Sequence, residues 1–313
     1  MHKLFVLIIT LIAGISTIAQ NNVEHAFNLR ENPAIIEGMC YDPVGKHFYF
    51  GESISKKILR YNLSGKPAGF IDADKDGLTS VLGSSVDIKK HHLWICGATD
   101  TGNKKRMCMF LYDLKTGNLI SKLPDTSGNA KLFNDIAVTS DGSAFVTDTY
   151  TKTIYKANVS ENIMTKYLES YLLRDPNGIT SVHDTLYVST SRGIVRINTA
   201  NKEVTTLPLQ DFMIAGIDGL YYYNQSLIGI QNVLYPVTIV RYYLDNSRNK
   251  LSRAKVLSSA DPSFAIPTTG AIVDDDFYFM ANNNIGKEDS LKTDGRTFMK
   301  LKPVTIYRIS LKK

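Results

Sequence analysis

Short apolar segments with alternating polar residues recur along the chain, and turns containing Pro, Gly, Asp or Asn separate them. The first group covers residues 36–71 and contains apolar or alternating segments at 36–41, 47–50, 58–62 and 69–71. Alternation with a period of two residues predicts β-strands rather than helices. The sequence therefore predicts a unit of four strands.

The same order of segments returns five more times. Successive units begin at residues 37, 84, 134, 177, 218 and 269, so the spacing lies between 41 and 51 residues. Four strands per unit at this spacing are typical of a β-propeller, whereas a parallel β-helix has much shorter repeats. We therefore predict an all-β fold, a six-bladed β-propeller.

The two ends of the repeat region predict how the propeller closes. The sixth unit contains three clear strands, and a spare strand is predicted at residues 23–29, ahead of the first unit. We expect this N-terminal strand to complete the last blade, because pairing there removes an exposed sheet edge. No linker or block of charge divides residues 20–313, which we predict to be one domain.

Residues 1–19 have the organisation of a signal peptide. Lys3 is followed by an apolar run over residues 4–12, and small residues end at Ala19. Cleavage after Ala19 predicts an exported protein, periplasmic or secreted, with no membrane attachment in its mature form. An uncleaved N-terminal anchor is the alternative.

Composition and charge limit the functions that fit. The 313 residues are 43% hydrophobic and 10% aromatic, which is enough for a full core and excludes wholesale disorder. The formal net charge of +6 is not gathered into a sustained basic run, so we expect no nucleic-acid partner. We expect a monomer.

The three cysteines do not form a disulfide framework, since their number is odd and low. Buried thiols are the favoured interpretation of Cys40, Cys96 and Cys108. Cys96 and Cys108 on neighbouring strands could pair in an oxidising compartment, which is the alternative.

In a propeller, the first strand of each blade lines a central channel, and its first residue lies near one mouth. The six positions assigned from the repeats all carry oxygen: Glu37, Ser84, Asn134, Asn177, Asp218 and Thr269. Two carboxylates and two amides form a hard-oxygen site whose charge balances one divalent cation. A hydrogen-bonded, water-filled polar plug is the alternative.

Four short motifs stand at these positions: Glu37-Gly38, Asn134-Asp135, Pro176-Asn177-Gly178 and Asp218-Gly219. Together they resemble the senescence-marker-protein/gluconolactonase family, the sugar lactone lactonases, and more distantly the paraoxonases. The resemblance covers essentially the whole mature chain at low identity. It departs from the paraoxonases at Gly38, where they carry an acid, and at Ser84-Ser85, where they carry a channel histidine.

The resemblance implies hydrolysis of a lactone or related ester with the help of one divalent cation in the channel. It implies Glu37, Asn134, Asn177 and Asp218 as the metal ligands, with Asp218, or Glu37, as the catalytic base. Asn134 would also touch substrate, and Ser84 and Thr269 are further candidates for substrate contact because of their ring positions. Calcium is the first choice, with magnesium, manganese and zinc as alternatives.

Two functions of different classes fit these features. We favour an exported metal-dependent hydrolase with a small-molecule substrate. The alternative is a non-catalytic binding propeller in which the metal has only a structural role.

Three connections between strands are candidates for a functional role. Residues 98–106 and 282–303 are predicted as long loops at the channel mouth, where they could act as lids or be simple insertions. Residues 72–77 begin like an EF-hand loop, but the twelfth position is Gly83 and not Glu, so an ordinary acidic connection is favoured.

Overall fold

Six four-stranded antiparallel sheets are arranged as the blades of a β-propeller in the computed structural model of the protein. The structure describes residues 23–30, 34–101, 104–127, 129, 131–285 and 301–312. The predicted all-β, six-bladed fold is confirmed. The predicted signal peptide, residues 1–19, lies outside the described residues.

Each blade is built from consecutive strands, with the innermost strand first. Strand β1 (Val23–Asn28) precedes blade one, which contains β2 (Ile36–Asp42), β3 (His47–Glu52), β4 (Lys57–Asn62) and β5 (Pro67–Ile71). Blade two contains β6 (Leu78–Asp87), β7 (His92–Thr101), β8 (Lys104–Asp113) and β9 (Leu119–Pro124). Blade three contains β10 (Phe133–Val138), β11 (Ala144–Asp148), β12 (Thr153–Asn158) and β13 (Ile163–Glu169).

The second half of the chain repeats this order. Blade four contains β14 (Ile179–Val182), β15 (Thr185–Thr190), β16 (Gly193–Asn198) and β17 (Val204–Thr206). Blade five contains β18 (Ile217–Tyr223), β19 (Ser226–Gln231), β20 (Thr238–Leu244) and β21 (Leu251–Ser259). Blade six contains β22 (Gly270–Val273), β23 (Asp276–Asn282) and β24 (Thr305–Ser310), with β1 as its fourth strand.

Strand β1 closes the ring as predicted. It pairs antiparallel with β24, from Val23 opposite Ile309 to Asn28 opposite Thr305. Phe27 of β1 also stacks on Tyr61 of blade one, with ring centroids 6.0 Å apart. The N-terminal strand therefore belongs to blade six by hydrogen bonding and joins it to blade one by aromatic packing.

The apolar core lies between the blades. Each of six clusters of buried side chains joins two neighbouring blades, so that every interface around the ring is filled. Between blades five and six, for example, Ile228 and Ile230 pack with Phe277 and Phe279. Burying each such side chain contributes about 1.5–3 kcal/mol, so the face-to-face packing of blades holds the ring closed.

The connections divide between two faces of the disc. Because each inner strand begins at the candidate ring, the second-to-third strand connections and the connections between blades lie on the ring-side face. One predicted loop there is wrong: within residues 98–106, β7 and β8 remain paired, with Ala98 opposite Met107 and Thr101 opposite Lys104. This stretch is a hairpin extension of blade two. Of the predicted loop at 282–303, residues 286–300 lie outside the described residues.

The cysteines are free and buried. Cys96 and Cys108 do lie on neighbouring strands, but Cys96 is opposite Met109 and Cys108 is opposite Gly97. An offset of one residue directs the two side chains to opposite faces of the sheet. Each thiol therefore lies in a different interface between blades, and the favoured interpretation of buried thiols is confirmed.

The acidic connection after blade one forms a short 3-10 turn at Lys75–Gly77. Lys75 Nζ donates a hydrogen bond to the carbonyl oxygen of Gly117 at 2.9 Å, and Lys122 Nζ donates to that of Asp76 at 2.8 Å. These contacts tie the turn to blade two as an ordinary connection. Among the described residues, no helix has the length and apolar character needed to cross a membrane.

Candidate active site in the central channel

Four predicted ligands meet at the heads of the inner strands. Side chains and backbone from these strands line a cavity of about 10 Å³, which is the space of about one water molecule or ion. Its lining comprises Glu37, Gly83, Asn134, Asp135, Asn177, Asp218, Gly219, Thr268 and Thr269. Glu37, Asn134, Asn177, Asp218 and Thr269 are therefore brought together, whereas Ser84 is not part of this lining.

Strand pairing identifies the equivalent positions in the six blades. In blades one, three, four and five, the predicted ring residue lies two positions before the start of regular pairing between the first and second strands. Regular pairing starts at Met39, Ile136, Ile179 and Leu220 in these four blades. In blade two regular pairing resumes at Ser84, after a bulge, and in blade six it begins at Gly270. The equivalent positions are therefore Leu82 and Thr268.

The sequence assignment was thus wrong by two residues for Ser84 and by one residue for Thr269. The physical reason differs between the blades. In blade two, the bulge between Val81 and Ser84 is the same as in blades one, three and five, but the ring position is taken by the apolar Leu82, so a search for a polar residue at the head of the strand stops two positions too late. In blade six, two adjacent threonines offer the same chemistry, and only the pairing of Gly270 with Phe279 separates them.

Contacts between neighbouring inner strands support this ring. For five of the six ring positions, the following residue lies against the carbonyl oxygen of the next ring residue around the channel. Gly178 N donates to Asp218 O at 3.0 Å, and Gly219 N donates to Thr268 O at 2.9 Å. Thr269 Oγ1 donates to Glu37 O at 2.8 Å and closes the circle. The ring residues are Glu37, Leu82, Asn134, Asn177, Asp218 and Thr268.

Directly after the ring the channel narrows to a waist, formed by Gly38, Gly83, Asp135, Gly178, Gly219 and Thr269. Four of these six positions are glycine because the neighbouring backbones approach closely. A Cβ on Gly38 would collide with Leu82 O, and one on Gly83 would collide with Asn134 O. The glycines of the sequence motifs therefore have a structural reason that is independent of chemistry.

Asp218 is held in place by two amide side chains. Asn232 Nδ2 donates to Asp218 Oδ2 at 2.7 Å and to the carbonyl oxygen of Pro267 at 2.9 Å, and Asn177 also hydrogen-bonds to the carboxyl group. Burial raises the pKa of Asp218 to about 6, although both amides oppose the shift. Within the described ranges no basic side chain forms an ion pair with Asp218, and a buried carboxylate in such surroundings is a favourable site for a cation or a proton.

Asn134 is oriented by a neighbouring hydroxyl group. Its Nδ2 donates to Thr149 Oγ1 at 3.2 Å, and Thr149 Oγ1 donates in turn to the carbonyl oxygen of Pro176 at 2.7 Å. This chain engages the amide nitrogen of Asn134, which leaves its oxygen as the group available to a ligand.

Asp135 is a second buried carboxyl group, one residue below the ring. Its Oδ1 accepts from Ile136 N at 2.9 Å and its Oδ2 accepts from Ile179 N at 3.1 Å. Burial raises its pKa to about 7, and the nearby charge of Asp218 adds to the shift. The sequence motif drew attention to this residue, but its position in the waist could not be read from the motif.

Two structural partners were missed by the sequence analysis. Asn232 lies in the connection after β19, where no periodic pattern marks it, and it reaches Asp218 only through the fold. Leu82 was overlooked because it precedes the apolar segment used for alignment. It is half-buried and packs against the cluster between blades two and three.

Exposed apolar side chains gather in the connections of the ring-side face. Tyr171 and Tyr235 are 85% and 94% exposed. Among the residues that the structure describes, those on this face, from blades three to six, are Tyr150, Tyr171, Met213, Val233, Tyr235 and Ile266. Asn232, which contacts Asp218, directly precedes Val233, so part of this apolar rim adjoins the candidate site.

Comparisons with known proteins support the fold. No family model matches the chain, and no curated protein matches it significantly in sequence. A gluconolactonase from Xanthomonas campestris is 13% identical with a TM-score of 0.59, over 92% of this chain and 89% of that one. The PQQ-bound aldose sugar dehydrogenase from Streptomyces coelicolor is also 13% identical with a TM-score of 0.59, over 92% and 97%.

A structure of the nidogen/laminin complex is similar as well, at 16% identity and a TM-score of 0.54, over 70% of this chain and 79% of that one. The gluconolactonase-like fold predicted from the motifs is confirmed. At such identities the likeness concerns the fold alone, and the same fold carries different functions. The function must therefore be argued from the channel residues.

Proposed function

We propose that this protein is a metal-dependent hydrolase of a lactone or related ester, with one divalent cation in the channel. The observation that carries the proposal is the meeting of two carboxylates and two amides, Glu37, Asp218, Asn134 and Asn177, around a cavity of one-atom size. The fold shared with a gluconolactonase supports the same reaction class.

The ring residues fit a hard cation in size, charge and donor type. Among the described residues, no group of three or more His, Cys, Asp or Glu side chains is placed to hold a metal, so the proposed site needs the two amide oxygens as well as the two carboxylates. Two carboxylates and two amide oxygens are ligands typical of calcium, and waters complete such shells. Calcium is therefore our first choice, ahead of magnesium, manganese and zinc.

The hydrogen bonds made by the proposed ligands are of the kind found around metal sites. Asn232 fixes one oxygen of Asp218, and Thr149 fixes the amide nitrogen of Asn134. Partners of this kind orient metal ligands and are part of most metal sites. When bound, the cation would polarise the carbonyl group of the substrate and stabilise the negative charge that develops on its oxygen.

Asp218 is the proposed general base. In the metal-free chain burial raises its pKa to about 6, and a bound cation would lower it, so the carboxylate is ionised at neutral pH and can accept a proton from water. Asn232 holds the carboxylate through Oδ2. Glu37, across the same cavity, is the second candidate for this role, and Asn134 is the proposed substrate contact.

The ring-side mouth suggests the kind of substrate. The exposed rim of Tyr150, Tyr171, Met213, Val233, Tyr235 and Ile266 would contact an apolar portion of a small molecule entering the channel. We therefore propose a lactone or ester that carries an apolar group. We also propose export to the periplasm or the outside, with residues 1–19 removed, which N-terminal sequencing of the mature protein would test.

The proposal is tested by hydrolysis assays on purified protein that has been treated with a chelator. The panel should contain aliphatic and sugar lactones and aryl esters, each with and without calcium, magnesium, manganese or zinc. We expect turnover only after a metal is restored. Calcium should also raise the melting temperature of the wild type but not of Asp218→Ala, because half of the ring charge is lost.

Equal calcium-dependent stabilisation of both proteins would contradict the metal site. Stabilisation by calcium without hydrolysis of any substrate would instead favour the binding propeller.

A further inference from the structure

The channel continues below the waist into a second, larger cavity. Its volume is about 290 Å³, and residues from all six inner strands line it. It shares only Gly83, Asp135 and Thr269 with the small cavity at the ring. The waist therefore separates two compartments, and the lower one opens toward the face opposite the ring.

The wall of this lower cavity combines polar and apolar side chains. Next to the waist it carries Ser84, Asp135 and Tyr221, all with polar groups. Farther along the strands apolar residues such as Val86 and Val138 stand beside the polar Thr180 and Ser181, and the hydroxyl group of Ser181 is already hydrogen-bonded. A wall of this kind fits a molecule with a polar head and an apolar body better than it fits a metal ion or a sugar.

One hydroxyl group at the polar end has no strong hydrogen-bond partner. Ser84 is 8% exposed and lines the cavity, and within the described part of the chain its Oγ has only the thiol of Cys40 as a partner, which is a weak hydrogen-bonding group. Buried hydroxyl groups are almost always satisfied. Other hydroxyls on this wall are engaged: Ser181 Oγ donates to Val138 O at 2.7 Å, and Tyr221 OH accepts from Gly270 N at 2.7 Å.

The neighbouring carboxyl group of Asp135 indicates that a bound molecule would donate hydrogen bonds here. Each oxygen of Asp135 accepts one backbone N–H, and a carboxylate has acceptor capacity beyond two bonds. Together with Ser84 Oγ it presents acceptor sites to the cavity. A head group that donates hydrogen bonds, such as a hydroxyl or an ammonium group, would satisfy them.

We propose that the lower cavity is a binding site for a small amphiphile with a hydrogen-bond-donating head and an apolar body. A cavity of about 150 Å³ holds one benzene molecule, so this one accommodates about ten to twelve non-hydrogen atoms. The head lies between Ser84 and Asp135, and the body lies along Val86 and Val138. This site is independent of the proposed hydrolysis at the ring.

Calorimetric titration of the purified protein with benzyl alcohol and with benzylamine tests the site. A chelator should be present, so that no metal-dependent process contributes. We expect saturable binding of at least one probe in the millimolar range or tighter. Asp218→Ala should bind the probe as the wild type does, because Asp218 lies in the upper cavity.

Two substitutions locate the probe. Ser84→Ala should weaken binding about threefold to tenfold, which is the loss of about one hydrogen bond. Thr180→Trp, a half-buried position of β14 on the same wall, should abolish binding by filling the cavity. Thr99→Val is the matched control, since Thr99 Oγ1 is also buried in blade two but does not line the cavity.

The outcomes separate clearly. Absence of saturable binding by both probes up to about 20 mM would overturn the proposal. Unchanged affinity in Ser84→Ala and Thr180→Trp, with both variants folded, would overturn it as well. Loss of binding in Asp218→Ala would move the probe to the ring and would also contradict the lower site, whatever the hydrolysis assays show.

Discussion

Blades two and three are built from the same four-stranded repeat, yet only blade three places an oxygen ligand at the ring. Strand β10 begins one residue before Asn134, and its inner end projects that amide into the small cavity. Strand β6 begins at Leu78, four residues before the equivalent Leu82. Both blades carry the same one-residue bulge at this point, so the difference lies in the sequence: Leu82 stands where blade three has Asn134, and only Gly83 of blade two lines the small cavity.

Blade two also has longer strands than blade three. β7 and β8 extend together to Thr101 and Lys104, and β6 pairs along the extension from Leu78 onward. Blade two therefore extends farther on the ring-side face. Leu82 packs against the core between blades two and three. Repetition fixes the path of the backbone, but it does not fix which residue of each repeat faces the ring.

The comparison implies that ring residues differ in importance, and Asp218→Asn, measured with saturating metal, should have the largest effect. If Asp218 is the base, kcat should fall by about two to four orders of magnitude, because an amide cannot accept the proton from water. If it is only a ligand, excess metal should restore most of the rate. The matched control is Thr268→Ser at the blade-six ring position, which keeps its hydroxyl group and should change kcat by less than about threefold.

Full activity of metal-saturated Asp218→Asn would eliminate the proposed mechanism. A large loss in Thr268→Ser would show instead that all ring positions matter equally, and the distinction between the blades would fail.

The next effect concerns the waist. In Gly178→Ala the new Cβ would collide with Asp218 O and would lie 2.7 Å from Leu220 N, both of which are backbone atoms. Overpacking of this kind costs about 1–3 kcal/mol, so we expect the melting temperature to fall by about 3–10 °C. Gly69→Ala in β5 is the control, since no atom lies within 4 Å of its added Cβ. Equal melting temperatures for the two variants would contradict a close-packed waist.

The fold could be predicted because the pattern of strands is repeated six times in the sequence. An uncertain strand in one repeat could be compared with the same strand in the other repeats. Closure by β1 was predictable for the same reason, as blade six lacked a strand. The ring positions of blades one, three, four and five carried distinctive motifs at Glu37, Asn134, Asn177 and Asp218. Thr268 was not predictable because two adjacent threonines offer the same chemistry, and Leu82 was not predictable because an apolar residue replaces the polar one of the other repeats. Asn232 reaches the site through a contact between distant connections, which leaves no periodic pattern.

Asp135 provides a smaller effect that depends on pH. Its pKa is about 7 in the folded protein and near 3.9 in an unfolded chain. Between about pH 4 and pH 7 the folded state holds a proton that the unfolded state releases, so this group lowers the free energy of unfolding as pH rises through that window. Asp135→Asn does not titrate, and the stability of the variant relative to the wild type should therefore improve from pH 5 to pH 8.

Chemical denaturation in the presence of a chelator measures this difference. At pH 5 the variant should be less stable by about 1–3 kcal/mol, because an amide oxygen can accept only one of the two backbone N–H groups now held by the carboxyl group. The same stability difference at both pH values would show that Asp135 is ionised throughout and that burial does not govern it.

The smallest expected effect decides between the two assignments for blade two. If Leu82 occupies the ring position, Leu82→Ala should raise KM for an apolar substrate by about twofold to fivefold with little change in kcat, since only uniform binding contact is lost. Ser84→Ala should change KM less, because Ser84 lines the cavity on the far side of the waist. Leu82 also packs against the core, so both variants should be compared at a temperature where each is fully folded. A larger effect from Ser84→Ala would restore the assignment made from the repeats and would mean that substrate reaches past the waist.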